Sequence, residues 1–271
     1  LNNTKIEWTE TTWNPIRGCS AVSPGCANCY AATMAARFSG PGQPYEGLAT
    51  SDPRPRWTGE VRLVPEKLAD PLRWQRPRRV FVNSMSDLFH ESLGNETIDK
   101  VIAVMLLAPR HTFQVLTKRV KRMRDYLTDP ALYGRILRCA DEVRHKFPAL
   151  AAVGVSNPTT HPAPWIWWGV STENQATADE RIPLLLQCPA AVRWISAEPL
   201  LGRLDLTRIQ WPNKGGHRVD VLRFGYWDDR LGFVNHSDMH EWSSPLDWVV
   251  VGGESGSNAR PCDVAWIESI V

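Results

Sequence analysis

Three cysteines fall close together near the N-terminus: Cys19, Cys26 and Cys29, in the run GCSAVSPGCANCY (18–30). The spacing is C-x6-C-x2-C. Pro24-Gly25 supplies a turn that folds the loop back, so that Cys26 and Cys29 can share one metal centre and Cys19 can join from the other side. A structural zinc site normally takes four protein ligands. No fourth cysteine or histidine lies nearby: the nearest histidine is His90, and Cys262 comes from the far end of the chain. A 4Fe-4S cluster held by only three cysteines keeps one iron open to a small molecule. The cluster is the leading reading. Zinc with a long-range ligand, and reduced structural or redox thiols, stand as alternatives.

Such a loop needs a frame. Short apolar, β-branched runs recur along the chain, each ending in polar or glycine residues. They are 80–82 before Asn83, Ser84 and Asp87; 113–116 before Lys118; 166–170 before Ser171, Glu173 and Asn174; 192–195 before Ser196 and Glu198; and 248–251 before Gly252, Gly253 and Glu254. Runs of this kind predict buried parallel strands. Helical patterns lie between them, at 95–107 with Asn95 as its cap, at 119–127, 130–146 and 173–187, and at 264–271 behind Asp263. Strand, polar loop, helix, repeated, predicts an α/β fold: a partial (β/α) barrel with parallel strands, or a doubly wound sheet. In a barrel the strand ends share one face and build the active site there. The polar residues after each run fit that face.

Two stretches interrupt the repeat. Residues 39–60 are rich in glycine and proline and read as a long loop. Residues 205–246 read as an inserted β-hairpin before the last strand. Nothing calls for a second domain, so 1–271 is expected to form one unit. A closed repeat calls for another strand after 264–271, so the sequence is expected to continue past its end.

Composition narrows the class. The chain has 271 residues, 43% hydrophobic and 22% charged, with a net charge of +2. That excludes a strongly basic, histone-like binder but allows local basic patches, at Arg73–Arg79 and at Lys118–Arg124; solvated helix ends and faces are the plainer reading of both. No apolar run approaches the ~20 residues of a membrane span. The N-terminus carries no secretory pattern, and clustered cysteines favour a metal site over disulfides, which predicts a cytoplasmic protein. Thirteen tryptophans, including Trp165, Trp167 and Trp168, are read chiefly as packing.

The cysteine triad and the succession of strands resemble the radical S-adenosylmethionine (SAM) superfamily. The common motif there is C-x3-C-x2-C, so the six-residue first gap is a departure. A closer resemblance is to an uncharacterised phage and prophage family. It rests on W-N-P-x-x-G-C-x6-C-x2-C-Y (13–30), FVNSMSDLFHE (81–91), FQVLTKR (113–119), GVSTENQATADERIPLL (169–185), SAEPLLG (196–202) and VGGESG-x-x-ARP (251–261).

The resemblance implies a TIM-barrel-like iron–sulfur enzyme in which SAM chelates the open iron and is split to a 5′-deoxyadenosyl radical. It implies cluster ligation by Cys19, Cys26 and Cys29, and a SAM pocket drawn from Tyr30, Asn83, Ser84, Asp87, Lys118, Ser171, Glu173, Asn174, Ser196, Glu198, Gly252, Gly253 and Glu254. No catalytic residue is assigned. Expected partners are an electron donor, a nucleic-acid or nucleotide substrate, and a three-Cys-motif partner protein. The rival expectation is a non-catalytic iron–sulfur or zinc module that binds DNA or a partner.

Overall fold

A computed structural model describes residues 4–212, 218–223, 225–228, 232–235, 245–256 and 258–270. Its centre is one six-stranded sheet: β1 (Thr11–Trp13), β2 (Arg79–Val82), β3 (Thr112–Thr117), β4 (Ile166–Ser171), β5 (Val192–Ala197) and β6 (Trp248–Val251). All neighbours are parallel, and the spatial order follows the chain order without reversal. Parallel neighbours need long crossovers. Helices supply most of them: α1 (Tyr30–Ala36), α2 (Asn95–Leu106), α3 (Val120–Leu127), α4 (Leu132–Lys146) and α5 (Gln175–Leu186), with α6 (Val264–Glu268) following β6.

Two apolar layers hold the sheet. On one face Val80, Val82, Phe113, Val115, Trp168, Val170 and Ile195 join the helices' Ile98, Ile102, Met105, Met123, Ile182 and Leu186 in one buried core. The spacing of Ile98, Val101, Ile102 and Met105 gives α2 a continuous apolar stripe toward that core. On the other face lie Phe81, Trp167, Trp194 and Trp248. Trp8 sits among them, with its ring centre 4.7 Å from Phe81, 5.1 Å from Trp194 and 6.1 Å from Trp248. Phe81 is on the second strand and Trp248 on the sixth. In a flat sheet those strands would stand about 19 Å apart. One indole touching both means that the sheet is strongly curved, with the tryptophans filling its concave side.

Sequence and structure differ at several points. β1 carries no long apolar run and was not among the expected strands. Gly94, not Asn95, caps α2, and α6 ends at Glu268. Asn174 caps α5 through a reciprocal pair of bonds with Thr177, and Asp263 caps α6 as expected. The stretch 39–60 contains a small hairpin, Ala49–Thr50 with Arg56–Trp57. The insertion is larger than one hairpin: Ile209–Gln210, Arg218–Asp220, Gly225–Asp228 and Gly232–Asn235 form a four-stranded antiparallel sheet. Residues 213–217 and 236–244 of that insertion lie outside the described residues. No described helix is long and apolar enough to cross a membrane.

Candidate metal centre

The cysteine loop leaves the C-terminal end of β1. Ile16–Arg17 first pairs with Arg62–Leu63, and Gly18 then bridges Ser86. Gly18 has φ +92, and any Cβ there would collide with the Glu60 carbonyl, so the residue before Cys19 must be glycine. A single 3-10 turn, Pro24–Cys26, reverses the loop, and Cys29 stands at the N-cap of α1. All three cysteines are free thiols and half-buried.

Loops from other strand ends grip this segment. After β4, Glu173 is fully buried: one oxygen accepts from the Ser23 hydroxyl at 2.6 Å and from the Lys118 ammonium, and the other accepts from Arg181 at 3.1 Å. After β3, Arg119 donates to both oxygens of Glu91 at 2.8 and 2.7 Å, to Asp87 at 3.1 Å, and to the Ser20 hydroxyl at 2.7 Å and carbonyl at 3.3 Å. The same guanidinium lies 3.8 Å from Cys19 Sγ. After β6, Glu254 holds Arg260 and accepts from Asn28 at 2.9 Å, while Arg260 donates to the Pro24 carbonyl. After β2, the Ser84 carbonyl accepts the Tyr30 hydroxyl at 2.9 Å. Loops after four strands thus converge on one twelve-residue segment, 19–30.

Gly25 is part of the fit. A Cβ there would lie 2.5 Å from Glu173 Cγ and Oε1. Gly25→Ala is expected to cost about 1–3 kcal/mol by overpacking and to displace the loop. A denaturation midpoint equal to that of the wild type would contradict this contact.

The expected pocket residues fall into two groups. Asp87, Lys118, Glu173 and Glu254 are engaged in the network above. Glu198 accepts from Trp8 at 3.2 Å and from Ser196 at 3.1 Å through one oxygen. Asn174 is a helix cap. Gly252 faces the Glu198 side chain and Gly253 faces Cys262, so both glycines fit protein neighbours. Ser171 is buried at the end of β4. Asn83 differs from all of these. It is buried at 3% exposure, has φ +61, and neither its amide nitrogen nor its amide oxygen makes a hydrogen bond among the described residues. An unpaired buried polar group costs about 1–3 kcal/mol.

Sequence reasoning did not single out Ser20, Ser23 or Asn28, because their partners lie far away in the chain, nor Arg181 and Arg260, whose carboxylate partners stand eight and six positions away. His90 and Glu91 lie in the turn before α2. Glu91 binds Arg119, and His90 pairs with Ser20 across 2.9 Å.

A family model described as a protein of unknown function (DUF5131) matches residues 3–271. The chain belongs to the DUF5131 family. No curated protein and no solved structure matches it.

The electrostatics of this DUF5131 chain bear on a metal. Burial, with Asp87 adding to it, pushes the Cys19 thiol up to about 12, while Arg119 pulls it down. A thiol must lose its proton to ligate, so metal binding at Cys19 releases a proton and is favoured by rising pH. Burial also raises the Glu173 carboxyl, but Lys118 and Arg181 outweigh it and keep it below its ordinary value. Arg260 holds Glu254 down at about 2. Among the described residues, no three His, Cys, Asp or Glu side chains are placed to share one ion. A single zinc draws its ligands to ~2.3 Å from one point, whereas cysteines on a cubane cluster bind separate irons.

His90 supplies a pH dependence. Burial, followed by Arg119 and Arg122, lowers its pKa below 6.5 in the fold. The unfolded chain therefore takes up this proton first. Stability is complete above 6.5 and falls as the pH drops from there toward the folded value. His90→Asn should flatten part of that decline in urea midpoints; an unchanged slope would contradict it.

A cavity of about 450 Å³ opens beside the loop, lined by Val22, Glu91, Lys118, Arg119, Lys121 and Arg181 among others. Four of its five cations are ion-paired: Lys121 binds Asp125, and Lys118, Arg119 and Arg181 are described above. In the Lys118–Arg124 run, four of the five cations are thus ion-paired, and Arg122 donates to the backbone carbonyls of His90 and Leu93.

Proposed function

We propose that this DUF5131 chain is a cytoplasmic iron–sulfur protein of radical SAM type, with a 4Fe-4S cluster on Cys19, Cys26 and Cys29. The observation that carries the reading is the convergence of strand-end loops on a segment with three free cysteines. Sequential strand order and the curvature around Trp8 support a partial (β/α) barrel, whose strand ends form one mouth. The orphaned amide of Asn83 at that mouth suits a bound ligand with both a donor and an acceptor.

Bound there, a three-cysteine cluster supplies an open iron and the single electron that SAM cleavage needs. The chain's own residues do the rest. Glu173 and Arg119 hold the loop in place at Ser23 and at Ser20. Arg119 offers an N–H toward Cys19 Sγ, the kind of outer contact that fixes a ligand's orientation. Glu198 keeps one oxygen without a hydrogen bond among the described residues, and with Asn83 it is the group best placed to bind SAM. The pairing of four of the five Lys118–Arg124 charges weakens one support for a nucleic-acid substrate, and the reading names none.

Anaerobic reconstitution with iron and sulfide tests the cofactor. The wild type is expected to take up about four irons and four sulfides per chain, as a 4Fe-4S centre requires. Cys19→Ala should lose most of both. Tightly held zinc without sulfide, or undiminished iron in Cys19→Ala, would contradict the assignment.

A further inference from the structure

Six large hydrophobic residues are conspicuously exposed among those described, and four of them flank the cysteines: Val22 at 42%, Tyr30 at 44%, Met34 at 43% and Phe38 at 47%. Tyr30 and Met34 lie one turn apart on one side of α1, and Phe38 stands in the turn just past its end. The opposite side of the helix, Ala31, Ala32 and Ala35, is buried, and α1 packs beside the 49–57 hairpin. Monomer surfaces seldom carry such a patch without a use.

Charge surrounds it. Residues 17–62 contain five arginines (Arg17, Arg37, Arg54, Arg56 and Arg62), three carboxylates and no lysine. None of the five forms an ion pair among the described residues. That sets them apart from the cations at the strand ends, whose charges are matched. Arg37, Arg54 and Arg56 are exposed. Arginine, methionine and aromatics without lysine are the composition of a protein interface, and the positive rim selects an acidic partner.

Position narrows the partner further. Cys29 caps α1, and a helix of seven residues is only about 10 Å long. Whatever docks on Met34 and Phe38 therefore sits close to a candidate cluster ligand. We propose that α1 and the 49–57 hairpin form the docking face for an acidic one-electron carrier protein. The inference rests on the cluster reading above. In the step it serves, the reduced carrier loses one electron and the cluster gains it, with no proton or other reactant required.

The test uses the reconstituted full chain and a purified, fully reduced flavodoxin. Arg54→Glu with Arg56→Glu, and separately Phe38→Ala, should each slow cluster bleaching by the flavodoxin tenfold or more at low salt. High salt should erase most of the wild type's advantage over the charge-reversed form. Dithionite should reduce all forms alike, which shows that the cluster is intact. Equal flavodoxin rates in the wild type and the variants overturn the inference, as does a wild type that only dithionite reduces. Loss of single-stranded oligonucleotide binding with unchanged flavodoxin rates also overturns it, in favour of a nucleic-acid surface. Calorimetric titration of the flavodoxin into chain without iron reads the docking by itself. A chain that takes up no cluster yet binds flavodoxin through these residues keeps the face and rejects the cluster reading.

Discussion

Glu173→Ala is expected to destabilise the fold by about 3–5 kcal/mol, the cost of breaking a buried ion pair from one side. The carboxylate has no exposed surface, and Arg181 beside it is 3% exposed. Removing Glu173 leaves the Arg181 and Lys118 charges uncompensated and frees the Ser23 hydroxyl. Ser23 precedes the turn that carries Cys26, so the cysteine loop should loosen with the core. Urea unfolding reads the first effect as a fall in midpoint with little change in slope. Glu173→Gln should keep the shape but lose the charge, and should still fall well below the wild type. A loss under about 1 kcal/mol in both variants, the worth of an exposed pair, would mean that Glu173 is not the keystone described here.

Arg119→Ala should rank next. Its guanidinium joins three parts of the chain: Cys19–Ser20, the Asp87–Glu91 turn and the end of β3. Asp87 keeps bonds from Thr117, Lys118 and Phe89, which soften the loss. A cost of about 3 kcal/mol, at the low end for a broken buried pair, is expected. Arg119→Lys should not rescue it, because an ammonium cannot reproduce the planar fork that binds Glu91, Asp87 and Ser20 together. Full rescue by lysine would show that only the charge matters. Iron uptake should fall in both variants, since Cys19 loses the group that orients it.

The sequence revealed some parts of this more readily than others. Val80–Val82 is legible as a strand because both faces of the sheet are buried there, so its apolar run is unbroken; Phe113–Leu116 is interrupted only by the buried Gln114, and Trp248–Val251 is wholly apolar although half-buried at the sheet edge. Thr11–Trp13 is short and half polar, and only its pairing with Val80–Val82 makes it a strand. The polar residues after each strand lie at the strand ends, as the repeat implied. Their partners were not legible. Glu173 meets Ser23 across 150 positions and Asn28 meets Glu254 across 226. No local pattern encodes such a meeting. For that reason Glu173 and Glu254, read as ligand-binding carboxylates, turn out to be occupied by the protein itself, while Asn83 keeps its amide without a partner. The basic run at 118–124 misled in part for the same reason: Lys118 and Arg119 take their acids from other elements, whereas Asp125, which pairs with Lys121 and Arg124, stands on the same helix.

The central claim is a three-cysteine cluster whose open iron meets SAM. Electron paramagnetic resonance of the anaerobically reconstituted, dithionite-reduced chain, recorded with and without SAM, tests it most directly. The account predicts a reduced 4Fe-4S signal whose g-values change when SAM is added, and no such signal in Cys19→Ala. A cluster signal that SAM leaves unaltered, or zinc in place of iron, would contradict it.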